Sequence, residues 1–128
     1  MIRLVPMVLL AWTAMVVYLT LSPSDFLPET SLLGYDKLGH FGMFGGWTGL
    51  FGLLTVFYRR HETASLWPIW LAGMLFSLAI ELAQWALPLG RSAEWADMAA
   101  NALGCTAATG IIMLLRGSTL KKYLAFER

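Results

Sequence analysis

At 128 residues, with 58% hydrophobic and 13% charged side chains and a formal net charge of +1, the chain is more apolar than an ordinary soluble domain, where such residues make up roughly 45–50%. The excess needs lipid as its solvent, so a water-soluble enzyme is excluded and no nucleic-acid partner is expected.

A hydrocarbon core about 30 Å thick takes about 20 helical residues to cross at about 1.5 Å per residue. Four segments qualify: 4–21, 38–57, 66–87 and 95–115, joined by loops 22–37, 58–65 and 88–94 and followed by a polar tail from Arg116. The predicted fold is an all-α membrane protein, a four-transmembrane-helix bundle in a single domain.

The first segment follows Arg3 and could pass for a signal peptide. Its apolar run is longer than the usual h-region of about 7 to 15 residues, and Leu21-Ser22-Pro23 offers no small-x-small cleavage site. It reads as an uncleaved span.

The second opens with Asp36-Lys37-Leu38-Gly39-His40-Phe41, and Asp36 is well placed as a helix N-cap. Gly42/Gly46 and Gly45/Gly49 form small-xxx-small pairs, which let helix backbones approach where lipid removes the hydrophobic drive for association.

The third begins with Trp67 and Trp70, suited to an interfacial aromatic belt, and ends with Glu81-Leu82-Ala83-Gln84-Trp85. After the Pro88-Leu89-Gly90-Arg91 turn, Ser92 is a candidate cap for the fourth span. That span carries Asp97 and Asn101, then Ala100, Gly104 and Ala108 at packing spacing. Cys105 within it has no intramolecular partner and reads as a small buried hydrophobe. In the tail, Leu120, Tyr123 and Leu124 beside Lys121 and Lys122 suit a short amphipathic helix on anionic lipid, or a plain solvated tail.

Lys and Arg in short loops favour the cytoplasmic side. Arg3, Arg59, Arg60, Arg116, Lys121, Lys122 and Arg128 fall in regions that four crossings place on one side, whereas Lys37 and Arg91 lie on the other with Asp25, Glu29, Asp36 and Glu94. Both termini are therefore predicted to be cytoplasmic, with loops 22–37 and 88–94 facing outward.

Ionisable side chains at membrane depth usually face a bundle interior and mark function. Lys37 and His40, Glu81 and Gln84, and Asp97 and Asn101 each share one helix face by their spacing. Glu81 and Asn101 lie on the order of 10 Å inside the outer ends of their spans, with His40 and Asp97 shallower. Arg91 overhangs the same level, which makes a candidate site opening outward.

The order Asp36-Lys37-x-x-His40-Phe41, Glu81-x-x-Gln84 and Gly90-Arg91-Ser92-x-x-x-x-Asp97-x-x-x-Asn101-x-x-Gly104 resembles the VanZ-like family, named for a teicoplanin-resistance factor. The similarity covers nearly the whole chain. It implies a small protein of the bacterial inner membrane, some of whose relatives are associated with low-level lipoglycopeptide resistance. It implies no settled reaction.

Several functions fit these residues. In a binding module, an anionic lipid, a cell-envelope precursor or a lipoglycopeptide would be held by Lys37 and Arg91, with Asp36, Gln84 and Asn101 as further ligand-binding positions. In a membrane-embedded hydrolase or transferase acting on a lipid-linked substrate, His40, Glu81 and Asp97 are the candidate catalytic residues, His40 as general base or nucleophile and Glu81 as proton shuttle. A metal reading would use those three as ligands, but no HExxH motif or paired histidines support it, so neither a metal nor a cofactor is expected. The cluster could also be purely structural. Transport is disfavoured, because the inner halves of the spans offer little more polar than Thr55, Thr106 and Thr109.

Overall fold

The computed structural model describes residues 4–23, 33–58, 65–88, 90 and 94–116. Among them are four α-helices: α1 (Leu4–Leu21), α2 (Leu33–Leu53, continued by a π-helical turn over Leu54–Tyr58), α3 (Trp67–Ala86) and α4 (Trp95–Arg116). Three of these, α1, α3 and α4, are long and apolar enough to cross a membrane. α2 is as long, but its glycines and the Asp36-Lys37-x-x-His40 opening dilute its apolar character.

The helix ends correspond to local chemistry. Pro68 stands in the first turn of α3, where its missing N–H leaves no intrahelical bond unmade. Between α3 and α4, Gly90 takes φ 67°, a left-handed conformation available to glycine without a Cβ clash. α2 starts at Leu33, upstream of the expected span, so Asp36 lies inside the first turn and is not the N-cap. There its charge still complements the positive end of the helix dipole. Arg91, Ser92 and the proposed tail helix lie outside the described residues.

Side-chain pairings give the topology. Trp47 bonds Thr13 while Val16 and Phe44 share a core, so α1 and α2 run antiparallel. Asn101 reaches Glu81 while Trp70 reaches Thr106, so α3 and α4 are antiparallel too. Lys37 meets Asp97, His40 meets Asn101 and Gly52 approaches Ile112, so α2 and α4 run parallel. α2 contacts all three other helices and forms the hub of the bundle.

Glycine lets the α2–α4 pair close. A Cβ on Gly104 would overlap the Phe41 carbonyl oxygen and lie 3.1 Å from the Gly45 nitrogen. Gly46 instead receives the Trp12 ring of α1. Gly73 of α3, which the packing patterns did not single out, admits Thr48 and Cys105.

The bundle has two dissimilar ends. Val56, Ile69 and Ile112, flanked by Phe51, Leu53, Phe57 and Leu66, fill the end where α1 and α3 begin. Thr55 and Thr109 return their hydroxyls to carbonyls of their own helices. The buried charged groups collect at the opposite end.

Candidate functional site

Three helices supply that polar end. His40 stands about 10 Å along α2 from its start, Asn101 about 9 Å into α4, and Glu81 about 8 Å from the end of α3. Each therefore sits within the bundle rather than on its rim. All three are buried, as is Asp97, with at most 5% of the residue surface exposed. Burial without partners would be expensive.

The partners come from across the helices. Asn101 donates its Nδ2 amide to Glu81 Oε1 at 3.4 Å. The Asn101 carbonyl oxygen then faces His40 Nδ1 at 3.1 Å, and His40 Nδ1 carries the proton. Glu81 Oε1 also lies 3.9 Å from that nitrogen. On the opposite edge of the ring, His40 Nε2 lies 3.8 Å from Asp97 Oδ2. The ring stacks over Phe44, centroids 6.1 Å apart, and Thr48, Cys105 and Phe44 close the floor.

Toward the mouth, Lys37 bridges three carboxylates: Asp97, Glu94 at 2.9 Å and Asp36 at 3.3 Å. Asp36 and Glu94 are about half exposed, whereas Asp97 is buried. Lys37 stands one residue before the predicted span. Partial burial works against its charge, but the hydrogen bonds it donates to Asp97, Glu94 and Asp36 outweigh that and hold its pKa above the ordinary lysine value. The ammonium stays charged and anchors the rim.

The structure thus brings together Asp36, Lys37, His40, Glu81, Asp97 and Asn101. It sends Gln84 elsewhere, since its amide donates to the Thr20 backbone oxygen at 2.9 Å, tying α3 to the last turn of α1. Arg91 lies outside the described residues. Glu94 was not among the expected site residues, although its place three positions before Asp97, on the same helical face, is a signal for it. Thr20 and Thr48 are also fully enclosed polar residues that hydropathy alone conceals.

The cluster is rich in acceptors. At this end, among the described residues, four carboxylates (Asp36, Glu81, Glu94, Asp97) face one lysine, and Glu81 Oε2 and Gln84 Oε1 are buried with no hydrogen-bond partner. Beside it, an apolar groove of about 330 Å³ runs between α2 and α4, bounded by Phe41, Gly45, Gly49, Gly104 and Ala108.

Apolar helices of spanning length around a buried carboxylate, imidazole and amide cluster define a small helical membrane protein. The sequence model of the VanZ/LLP1 family matches residues 3–116, a stretch that includes all four described helices, and the chain belongs to that family. Neither a curated protein nor a solved structure matches it.

Proposed function

We propose that this is a four-span protein of the bacterial cytoplasmic membrane, with both termini inside, whose polar cluster holds the head of a lipid, a lipid-linked envelope precursor or a lipoglycopeptide. The segregation of Lys and Arg along the chain supports the orientation. The observation that carries the binding reading is an unpartnered buried acceptor within the cluster, Glu81 Oε2. Such groups normally find a donor. A head bearing amine, amide or hydroxyl groups supplies donors, and the α2–α4 groove, which begins one turn below Lys37, suits the acyl chain of the same molecule. A purely anionic head fits less well, because Lys37 is already engaged by three carboxylates.

A second reading, a hydrolase or transferase on a lipid-linked substrate, draws on the orientation of His40. Its Nδ1 is fixed by Asn101, and its Nε2 is left without a hydrogen bond among the described residues. The competing structural reading makes the same network a clamp between α2, α3 and α4.

One experiment separates them. Wild type, His40→Ala and Glu81→Gln are expressed in a susceptible bacterial host, with membrane abundance, teicoplanin susceptibility and lipids retained in native mass spectrometry all measured. Binding predicts normal abundance with loss of retained lipid and of any resistance. Turnover predicts an altered lipid pool in wild type alone, and a clamp predicts loss of the protein itself. Variants that accumulate normally, retain lipid and confer the full wild-type phenotype would remove the site from consideration.

A further inference from the structure

His40 and Asp97 face each other in an arrangement that their own hydrogen bonds do not complete. Asn101 Oδ1 engages His40 Nδ1, while His40 Nε2 and Asp97 Oδ2 face each other at 3.8 Å. That separation is too long for a hydrogen bond. Both residues are more than nine-tenths buried. Asp36, one helical turn before His40, brings a third ligand atom, and the ligand atoms of Asp36, His40 and Asp97 all lie within 4.8 Å of one another.

We infer that Asp36, His40 and Asp97 form a binding site for a divalent transition metal, zinc in the first instance. Ligands to zinc sit at about 2.0–2.2 Å, which places tetrahedral ligand atoms roughly 3.4 Å apart. The His40–Asp97 pair is already close to that value. Asp36 is half exposed and offers a carboxylate oxygen within 4.8 Å of the other two ligand atoms. The outer shell is also present: a metal-bound imidazole characteristically donates its other N–H to a fixed oxygen, as His40 does to Asn101, which Glu81 in turn orients.

Charge points the same way. The three carboxylates gathered on Lys37 exceed its single ammonium by two formal negative charges among the described residues, and a divalent ion offsets them. Lys37 does not fill the gap, because it takes the other oxygen of Asp97, Oδ1. This set differs from the His40, Glu81, Asp97 combination considered from sequence, since Glu81 lies on the protonated Nδ1 side of the ring. One imidazole with two carboxylates suits zinc or manganese better than a thiolate-seeking ion. The site stands whether or not a lipid occupies the neighbouring groove.

The test uses the full chain in detergent, stripped with a chelator and titrated separately with Zn²⁺ and Mn²⁺ against an indicator dye, with bound ions counted by elemental mass spectrometry. The expected result is one zinc per chain. Affinity falls at least 100-fold in His40→Ala and Asp97→Asn and about tenfold in Asp36→Asn, while Lys37→Gln, which removes a competing cation, binds zinc at least as tightly as wild type. Stoichiometric manganese in place of zinc retains the site and corrects the metal. No ion bound by wild type, or unchanged affinity in folded His40→Ala, overturns the proposal. If the buried variants fail to give a monodisperse protein, the exposed Asp36→Asn decides, and an unchanged affinity there is equally fatal. A chain that binds no zinc yet loses its retained lipid on His40→Ala keeps the binding function and loses only the metal.

Discussion

Asn101 is the residue on which the cluster turns. It is wholly buried and links a carboxylate on α3 to an imidazole on α2 from its place on α4. Replacing it with leucine of similar bulk leaves Glu81 Oε1 and His40 Nδ1 without their partner, and each stranded buried group costs about 1–3 kcal/mol. Thermal unfolding of Asn101→Leu in detergent should therefore show a large drop in midpoint. Gly104 allows a cleaner comparison. An alanine there meets the Phe41 carbonyl and the Gly45 backbone, neither of which is a flexible side-chain end, so Gly104→Ala is expected to lose about 1–3 kcal/mol. Gly39 has nothing within 4 Å of the place a methyl group would take, and Gly39→Ala should be neutral or slightly stabilising in the same measurement. Equal destabilisation by the two alanines would contradict the close α2–α4 approach.

At the scale of the helices, α2 is the exception that explains the bundle. Its hydropathy alone does not qualify it as a span, yet it touches every other helix. Several of the residues that dilute it are covered by its neighbours, among them His40, Gly45, Gly46, Thr48 and Gly52. Indole donors help hold those neighbours: Trp12 Nε1 donates to the Met43 carbonyl at 2.9 Å and Trp47 Nε1 to Thr13 Oγ1 at 2.9 Å. Trp12→Phe and Trp47→Phe should each lower stability by about 1 kcal/mol, measured by denaturant titration in micelles. Trp70 likewise gives its N–H to Thr106 on α4 while stacking on Trp67, so it ties two helices together at the place where the sequence suggests an interfacial belt. In a glycosylation-mapped insertion assay, isolated α1, α3 and α4 should integrate on their own, whereas α2 should require α1 ahead of it. Efficient insertion of α2 alone would show that its polar opening does not matter for integration.

Across the whole molecule, an acid-rich end stands opposite an apolar end. The Val56, Ile69 and Ile112 plug leaves no polar path through the described bundle, so vesicles containing the protein should show no more ion leakage than empty ones in a flux assay. Orientation is checked with compartment-sensitive reporters fused after Glu29, Arg60 and Glu94. Outward signals from the first and third with an inward signal from the second fit four crossings with cytoplasmic termini, and a cytoplasmic signal after Glu94 rules that arrangement out.

Composition and hydropathy by themselves determined the helical class, because apolar runs of about 20 residues match a spanning helix, which satisfies its backbone within the segment. They also located α1 at its observed bounds and α3 and α4 within a residue. Helical spacing further identified Lys37, His40, Glu81, Asp97 and Asn101 as polar-face residues, since the period of 3.6 is written into the chain. Spacing says which face a residue occupies but not which helix lies opposite. Only the tertiary packing decided that Gln84 answers Thr20 of α1, that Glu94 joins Lys37, that Asp36 works at the rim instead of as a cap, and that Gly73 and Gly104 are the points of closest approach. These are contacts between residues up to 64 positions apart, set by how four helices share one interior, and no local pattern contains them.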